Sequence, residues 1–371
     1  MLKKRYIITI IVGLVLFLAL ILYYNFAKYS DYSVDRVLRV ENAGKTNYVN
    51  VFDKLISYNP DGVALLDKKG EQIWNLSFEM QDPRIETKRE YVLLFDRQGT
   101  VIVVLDENGE VSRINASYPI THASISENGN IAVIMQQPES AHIVAYEKEG
   151  VVIAEGEVFA SESGYPLSVS LSSNGESMAV SSLKLAEGDI KSEITFYDFS
   201  KDGSLKENNK ASVFSYSDEV IPILDHVKDD KVLAIGSGSV SVFSNGAEPK
   251  VQKELFFEGE VKSVVHNEEY FGIVSEKENE EGNIINVLTL YTTGCTKRFS
   301  KEIDASYSKC EILDNNEIFL TDGKTATIYN SFGEKKFQKE FEGDVSSIIP
   351  AGGQKGYYLL AGGEFQRISL K

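Results

Sequence analysis

The sequence predicts an all-β fold, an eight-bladed (alternatively seven-bladed) β-propeller preceded by one N-terminal transmembrane helix. Three observations predict it. A long apolar run stands behind a basic cluster at the N-terminus. After Tyr29 no stretch keeps an apolar period of 3.6; short runs of Val, Ile, Tyr and Phe are instead broken by x-Gly turns about every 8–12 residues. A hairpin-rich unit also returns at a period of 38 to 55 residues.

From Ile7 to Leu22 every side chain is apolar except Thr9, and Gly13 is the only weak helix former. With Tyr6, Tyr23 and Tyr24 the run reaches 19 residues. At ~1.5 Å rise per residue, a helix of that length spans the hydrocarbon core. The tyrosines suit the membrane interface, and Lys3, Lys4 and Arg5 mark the cytoplasmic side. The expected layout is a cytoplasmic basic tip at 1–5, a transmembrane signal-anchor helix at 6–24, a linker at 25–33 and an extracytoplasmic propeller at 34–371. The rival is a cleavable signal peptide, whose apolar core runs about 7–15 residues and ends at small residues. The run here is longer, and residues 23–29 (YYNFAKY) offer no such site.

The repeated unit is an apolar alternation, two to four polar residues, a Gly, then a strand of polar alternation. It reads GVALLDKKGEQIWNLSF at 62–78, GTVIVVLDENGEVSRINAS at 99–117 and ATIYNSFGEKKFQKEF at 326–341. Another hairpin precedes each copy, as at 124–134 and 168–180, so each unit offers four antiparallel strands. Units begin near Asp82, Ile120, Gly164, Glu219, Glu260, Ala305 and Asp344. Four-stranded units of about 40–50 residues, repeated seven or more times, are the pattern of a propeller, in which neighbouring blades cover both faces of each sheet. A β-sandwich calls for no fixed period. The last unit, Val345 to Lys371, supplies only three strands, while Asp35–Val40 is an extra strand ahead of the first complete unit at 45–79. Pairing the two, with the N-terminal strand outermost in the final blade, gives eight blades; an incomplete first unit gives seven. The longest unit, 164–218, is expected to carry insertions at 183–191 and 201–210, the first place to look for a partner site. The charged run Glu276–Gly282 reads as a solvated loop.

Acids number 55 against 38 basic residues, a net charge of −17, and beyond residue 28 the balance is −21. A polyanion gains nothing by displacing counterions from phosphate, so nucleic acid is excluded as a partner. Two cysteines and four histidines leave little material for a metal or cofactor site, and neither is expected. Turns such as Asp106–Gly109, Glu127–Gly129 and Ser173–Gly175 lack the ligand spacing of calcium loops and supply the positive φ of tight hairpins. Cys295 in a turn and Cys310 in an inner strand are too differently placed to favour a disulfide. No G-x-S-x-G occurs and no catalytic residue is assigned. His122, His226 and His266 fall in or near innermost strands. They are the candidate ligand-binding residues of the axial channel; hydrogen-bonded filling of a polar channel is their duller reading. His142 lies in a fourth unit.

The stretches SYNPDGVALLDKKGEQIWNLSFEMQDPRI (57–85) and SGYPLSVSLSSNGESMAVSS (163–182), with the short acidic last unit, resemble DUF5711, a family of uncharacterised membrane-anchored bacterial propellers, over nearly the whole chain. Leu65–Trp74 is more distantly similar to the repeat of eight-bladed quinoprotein-like propellers and of the outer-membrane assembly lipoprotein BamB. The resemblance implies a fold and carries no activity. Trp74 is the only tryptophan, which argues against a quinone cofactor. The expected role is a membrane-tethered, non-enzymatic binding or scaffold module for a protein, peptide or cell-envelope polymer, held to the membrane through 6–24. The alternatives are an envelope assembly factor similar in role to BamB, and a hydrolase or lyase with acids in the axial channel.

Overall fold

The computed structural model describes residues 10–15, 26–38, 45–186, 188–201, 203, 206–304 and 306–371. Among them the chain forms eight four-stranded sheets, so the fold class is the eight-bladed β-propeller and seven blades are ruled out. Sheets 1 to 7 cover residues 47–77, 83–115, 120–159, 165–217, 223–256, 260–303 and 309–340, and sheet 8 covers 345–370 with an N-terminal strand added. Each unit begins within four residues of its expected start.

Burial explains the pattern. Second and third strands are covered on both faces, so they read as unbroken apolar runs: Val92-Leu-Leu-Phe95 and Ile102-Val-Val-Leu105 in sheet 2 are buried throughout. Each such side chain contributes roughly 1.5–3 kcal/mol. Fourth strands, at the outer edge, alternate instead, as in Gly109–Asn115 and Lys210–Ser217. The repeat extends to irregularities. In six sheets a bulge interrupts pairing of the third and fourth strands at one equivalent place, between Leu65/Leu66, Val104/Leu105, Ala145/Tyr146, Phe196/Tyr197, Val242/Phe243 and Ile328/Tyr329. A bulge at a fixed register adds local twist, which a radial sheet needs.

Two compact units are distinguished, Lys45–Lys277 with Tyr291–Thr296, and Glu278–Leu290 with Lys297–Lys371 and the N-terminal segment. In the second, the N-terminal strand Tyr32–Leu38 pairs antiparallel with Glu364–Leu370 and is the outermost member of sheet 8, as the eight-blade count expected. It begins three residues before the expected Asp35, and residues 39–40 lie outside the described residues. The segment expected as a linker is bound as well. Tyr29 N–H donates to Lys336 C=O at 2.8 Å, Phe26 stacks on Phe332 with ring centroids 5.8 Å apart, and Asp31 and Lys371 exchange backbone hydrogen bonds. Aromatic and backbone contacts available on sheets 7 and 8 outweigh the freedom of a short polar tether, so order begins before residue 34.

Two other expectations change. The 183–191 segment is no looped insertion: strands Ser177–Ala186 and Asp189–Asp198 stay paired out to Ala186↔Asp189, giving a long two-stranded arm. Alternating apolar and polar residues there keep both strands in register. The Glu276–Gly282 run is likewise partly strand, because Tyr270–Glu278 continues into it before a turn capped by Asn279. Of the expected anchor at 6–24, only residues 10–15 are described; they are helical and exposed, and the remainder lies outside the described residues. No helix among the described residues is long and apolar enough to cross a membrane.

Leu38, 3% exposed, and Val37, 53% exposed, are neighbours on the added strand. Leu38→Ala is expected to cost about 2–4 kcal/mol in urea unfolding, and Val37→Ala less than about 0.5 kcal/mol. Equal effects would show that the strand does not dock through its inner face.

Candidate functional site

A first strand pairs with a second strand on one side only. Its other edge carries backbone N–H groups that need partners. Within residues 45–277 these come from side chains of the preceding sheet, and the arrangement repeats. Glu86 Oε1 accepts from Ile125 N–H at 3.1 Å, His122 Nδ1 from Val169 at 3.4 Å, and Ser124 Oγ from Leu171 at 3.4 Å. Ser168 Oγ accepts from Leu224 at 3.2 Å and Ser170 Oγ from His226 at 2.8 Å. Polar residues two apart on a first strand thus stitch it to the next sheet.

The same strands bring charges together. Lys88 at the end of Pro83–Lys88, 11% exposed at its side chain, donates to His226 C=O at 3.1 Å and Glu268 Oε1 at 3.2 Å, and lies 3.6 Å from Asp225 Oδ1. It therefore links sheet 2 to sheets 5 and 6. His266 Nδ1 lies 3.4 Å from Asp225 Oδ2, an ion-pair distance without an aligned hydrogen bond. Burial pushes Asp225 up, but His266 and Lys88 outweigh it and hold the carboxylate below its ordinary range. Burial also opposes the Lys88 charge, and Asp225, Glu268 and Glu86 more than restore it. Glu86 differs. It keeps some accessible surface but is enclosed by protein, and burial, then the Asp225 charge, raise it to about 7.

His122 and His226 are lowered to about 4 by burial, against the pull of Asp225 on the first and of Asp230 and Asp225 on the second. Of the sequence candidates, His122, His226 and His266 all lie on first strands and gather around Asp225. His142 does not join them; it sits on the third strand of sheet 3, stacked on Tyr118 at 4.7 Å. Sequence reasoning missed Glu86, Lys88, Ser124, Ser168, Ser170, Asp225 and Glu268. Only the serines had a trace, polar residues two apart in an otherwise apolar first strand as in Ser168-Val-Ser170, a pattern that ordinary strand alternation also gives. Glu86 and Lys88 lie in the mostly polar strand Pro83–Lys88, and Glu268 lies beyond the first strand of sheet 6.

Beside this cluster a cavity of about 470 Å³ is lined by Lys88, Arg89, Glu127, His226, Lys228 and Glu268, among others. Its charges are engaged by their neighbours: Arg89 to Glu127 at 2.8 Å, Lys228 to Glu269 at 3.2 Å and Lys88 to Glu268. Among the described residues no group of three potential ligands is arranged to hold a metal ion. Cys295 and Cys310 are both free thiols, and burial pushes Cys310 up to about 12, which leaves it protonated and unreactive.

The titration signs follow from these shifts. An unfolded glutamate titrates near 4.5 and folded Glu86 near 7, so the native state holds an extra proton between them and stability falls as pH rises through that window. The histidines, near 6.5 unfolded and about 4 folded, act oppositely, so their contribution grows with pH between 4 and 6.5. Glu86→Gln is expected to gain stability relative to the wild type as pH rises from about 4.5 to 7, read from urea midpoints; a pH-independent difference would refute the assignment. Ser170→Ala strands the His226 N–H and is expected to cost about 1–3 kcal/mol by the same measurement.

The comparisons agree with this architecture. Among solved structures, BamB from Moraxella catarrhalis is similar with a TM-score of 0.54 and 11% identity, covering 92% of this chain and 100% of that one. Citrobacter koseri AztD gives a TM-score of 0.50 and 9% identity, covering 81% and 87%. At such identities the likeness is one of fold alone. No curated protein matches the sequence. The model of DUF5711, a family of unknown function, matches residues 25–370.

Proposed function

We propose that this chain, which belongs to the DUF5711 family, is a non-catalytic platform tethered to the membrane, presenting its propeller outside the cytoplasm to a protein, peptide or envelope polymer. One observation carries the reading: residues 26–38, immediately after the apolar run, are fastened to sheets 7 and 8 by Tyr29, Phe26 and the added strand. A rigid body joined so closely to a membrane span would be held at a fixed height and could neither drift nor tumble freely. The apolar run at 6–24 and the basic residues before it supply the span and its orientation. The fold shared with BamB is compatible with a protein partner and with an assembly role, and specifies neither.

An enzymatic reading has one observation in its favour. Glu86 and Asp225 are neighbouring acids whose surroundings push them apart, as in acid–base pairs. It is the weaker reading, because Glu86 Oε1 is taken by Ser124 and Ile125, and Asp225 by Lys88 and His266. In the Ser170–His226 pair, at 2.9 Å, the serine oxygen already accepts from the His226 N–H, so it is not a free nucleophile.

The test is topological. A Ser30→Cys variant lacking Cys295 and Cys310 is expected to stay in the membrane fraction and to react, in intact cells, with a thiol reagent that cannot cross the bilayer. Deletion of 1–24 is expected to release the protein. Labelling only after lysis would overturn the extracytoplasmic placement, and a soluble full-length protein would overturn the tether.

A further inference from the structure

Outside the polar cluster, residues 45–277 form a cleft between sheets 3 and 4. It measures about 570 Å³. Its sheet 3 wall includes the small residues Ala145, Ala154 and Gly156 beside Ile143, Val158, Glu155 and Glu157. Lys184, Glu193 and Lys210 also line the cleft. Gly156 pairs with Ile143 and Ala154 with Ala145, placing these four side-chain positions on one face. A Cβ on Gly156 would meet nothing within 4 Å. The opposite wall offers Val180, Thr195, Tyr197 and Val213, the last 49% exposed. A glycine inside a strand weakens it and marks a place where another backbone or ligand comes close.

The strand bearing Gly156, Val152–Phe159, is also the free outer edge of sheet 3. Its pairing is regular from Ala154 to Phe159. Residues 151–159 contain neither Lys nor Pro, the usual guards of a bare edge, and Val151, Val152, Ile153 and Phe159 are exposed. Glu155 and Glu157 also border the cleft, and along the strand they alternate with Ala154 and Gly156, paired across to Val144 and His142. Residues 139–162 hold six acids and one lysine.

These features describe one occupant. We propose that an extended, basic segment of a protein partner adds as a fifth strand to the Val152–Phe159 edge, its apolar side chains entering the cleft over Gly156 and its alternate Lys or Arg side chains meeting Glu155 and Glu157. Strand alternation dictates the pattern: side chains on one side of the added strand lie over Ala154 and Gly156, where there is room for apolar groups, and those on the other side lie beside Glu155 and Glu157. The proposal rests on the platform reading and names its docking edge and its partner's chemistry.

The probe is a fluorescent, end-capped seven-residue peptide that alternates lysine with valine and carries phenylalanine at its centre, titrated by anisotropy against the full-length protein in detergent. Saturable binding is expected. Gly156→Trp, which fills open space, and the surface pair Glu155→Lys with Glu157→Lys should each weaken it by about tenfold or more. The glutamate analogue of the peptide, and the lysine peptide N-methylated at alternate residues, should bind at least about tenfold more weakly. Absent binding, binding indifferent to Gly156→Trp, or equal binding of the glutamate peptide would each overturn the proposal. Folding of both variants is checked by unchanged urea midpoints, and each variant serves as the other's control. The titration needs neither membrane nor native partner. Its failure removes the docking edge and leaves the platform standing, whereas labelling of Ser30→Cys only after lysis removes the extracytoplasmic placement and leaves the outcome of the titration unchanged.

Discussion

The bare edge of each first strand is the constraint on which the rest depends. An isolated sheet leaves those N–H groups to water. Packed beside the next sheet they cannot stay unpaired, since an orphaned buried donor costs about 1–3 kcal/mol. The chain answers with Glu86, His122, Ser124, Ser168 and Ser170, each reaching one sheet onward. Side chains short enough to reach one strand, and no further, fix the spacing of sheet on sheet. Lys88 and Asp225 are a second tier, two largely buried charges that neutralise each other, with Lys88 also paired to the exposed Glu268.

That tier accounts for the character of the central cluster. A buried carboxylate and a buried ammonium hold each other in their charged forms, and burial favours the neutral forms of His122 and His226. Such a core is costly to perturb at any single member. Its charged members are engaged by one another, whereas His226 Nε2 and His266 Nδ1 are buried without an aligned hydrogen bond.

The architecture was legible in the sequence because both of its codes are local. Turn glycines and apolar runs set each hairpin, and their period sets the sheet. The closing strand was legible for a different reason: a unit one strand short at the C-terminus and a strand too many near the N-terminus are most economically paired, although an incomplete first unit would have fitted seven blades. The stitching residues were not. Ser124 and Ser170 look like ordinary strand alternation, and Glu86 and Lys88 like a solvated hairpin end. What gives them a role is contact across sheets, as with Lys88 and Glu268, 180 residues apart. The arm at 183–198 was hidden too, since length beyond the average repeat looks the same whether it lengthens a loop or two strands.

The pairing of Ser33 with Ser369, 336 residues apart, sets an order of events. Sheets built from consecutive hairpins can form as the polypeptide emerges, each needing only what has just been made. Sheet 8 cannot. Its outer place stays empty until the last hairpin exists, and the strand that fills it waits, exposed, through the synthesis of everything between. Completion is therefore the final and most distant step of folding, and in that interval the edge of Glu364–Leu370 is open to a neighbouring molecule's strand as readily as to its own.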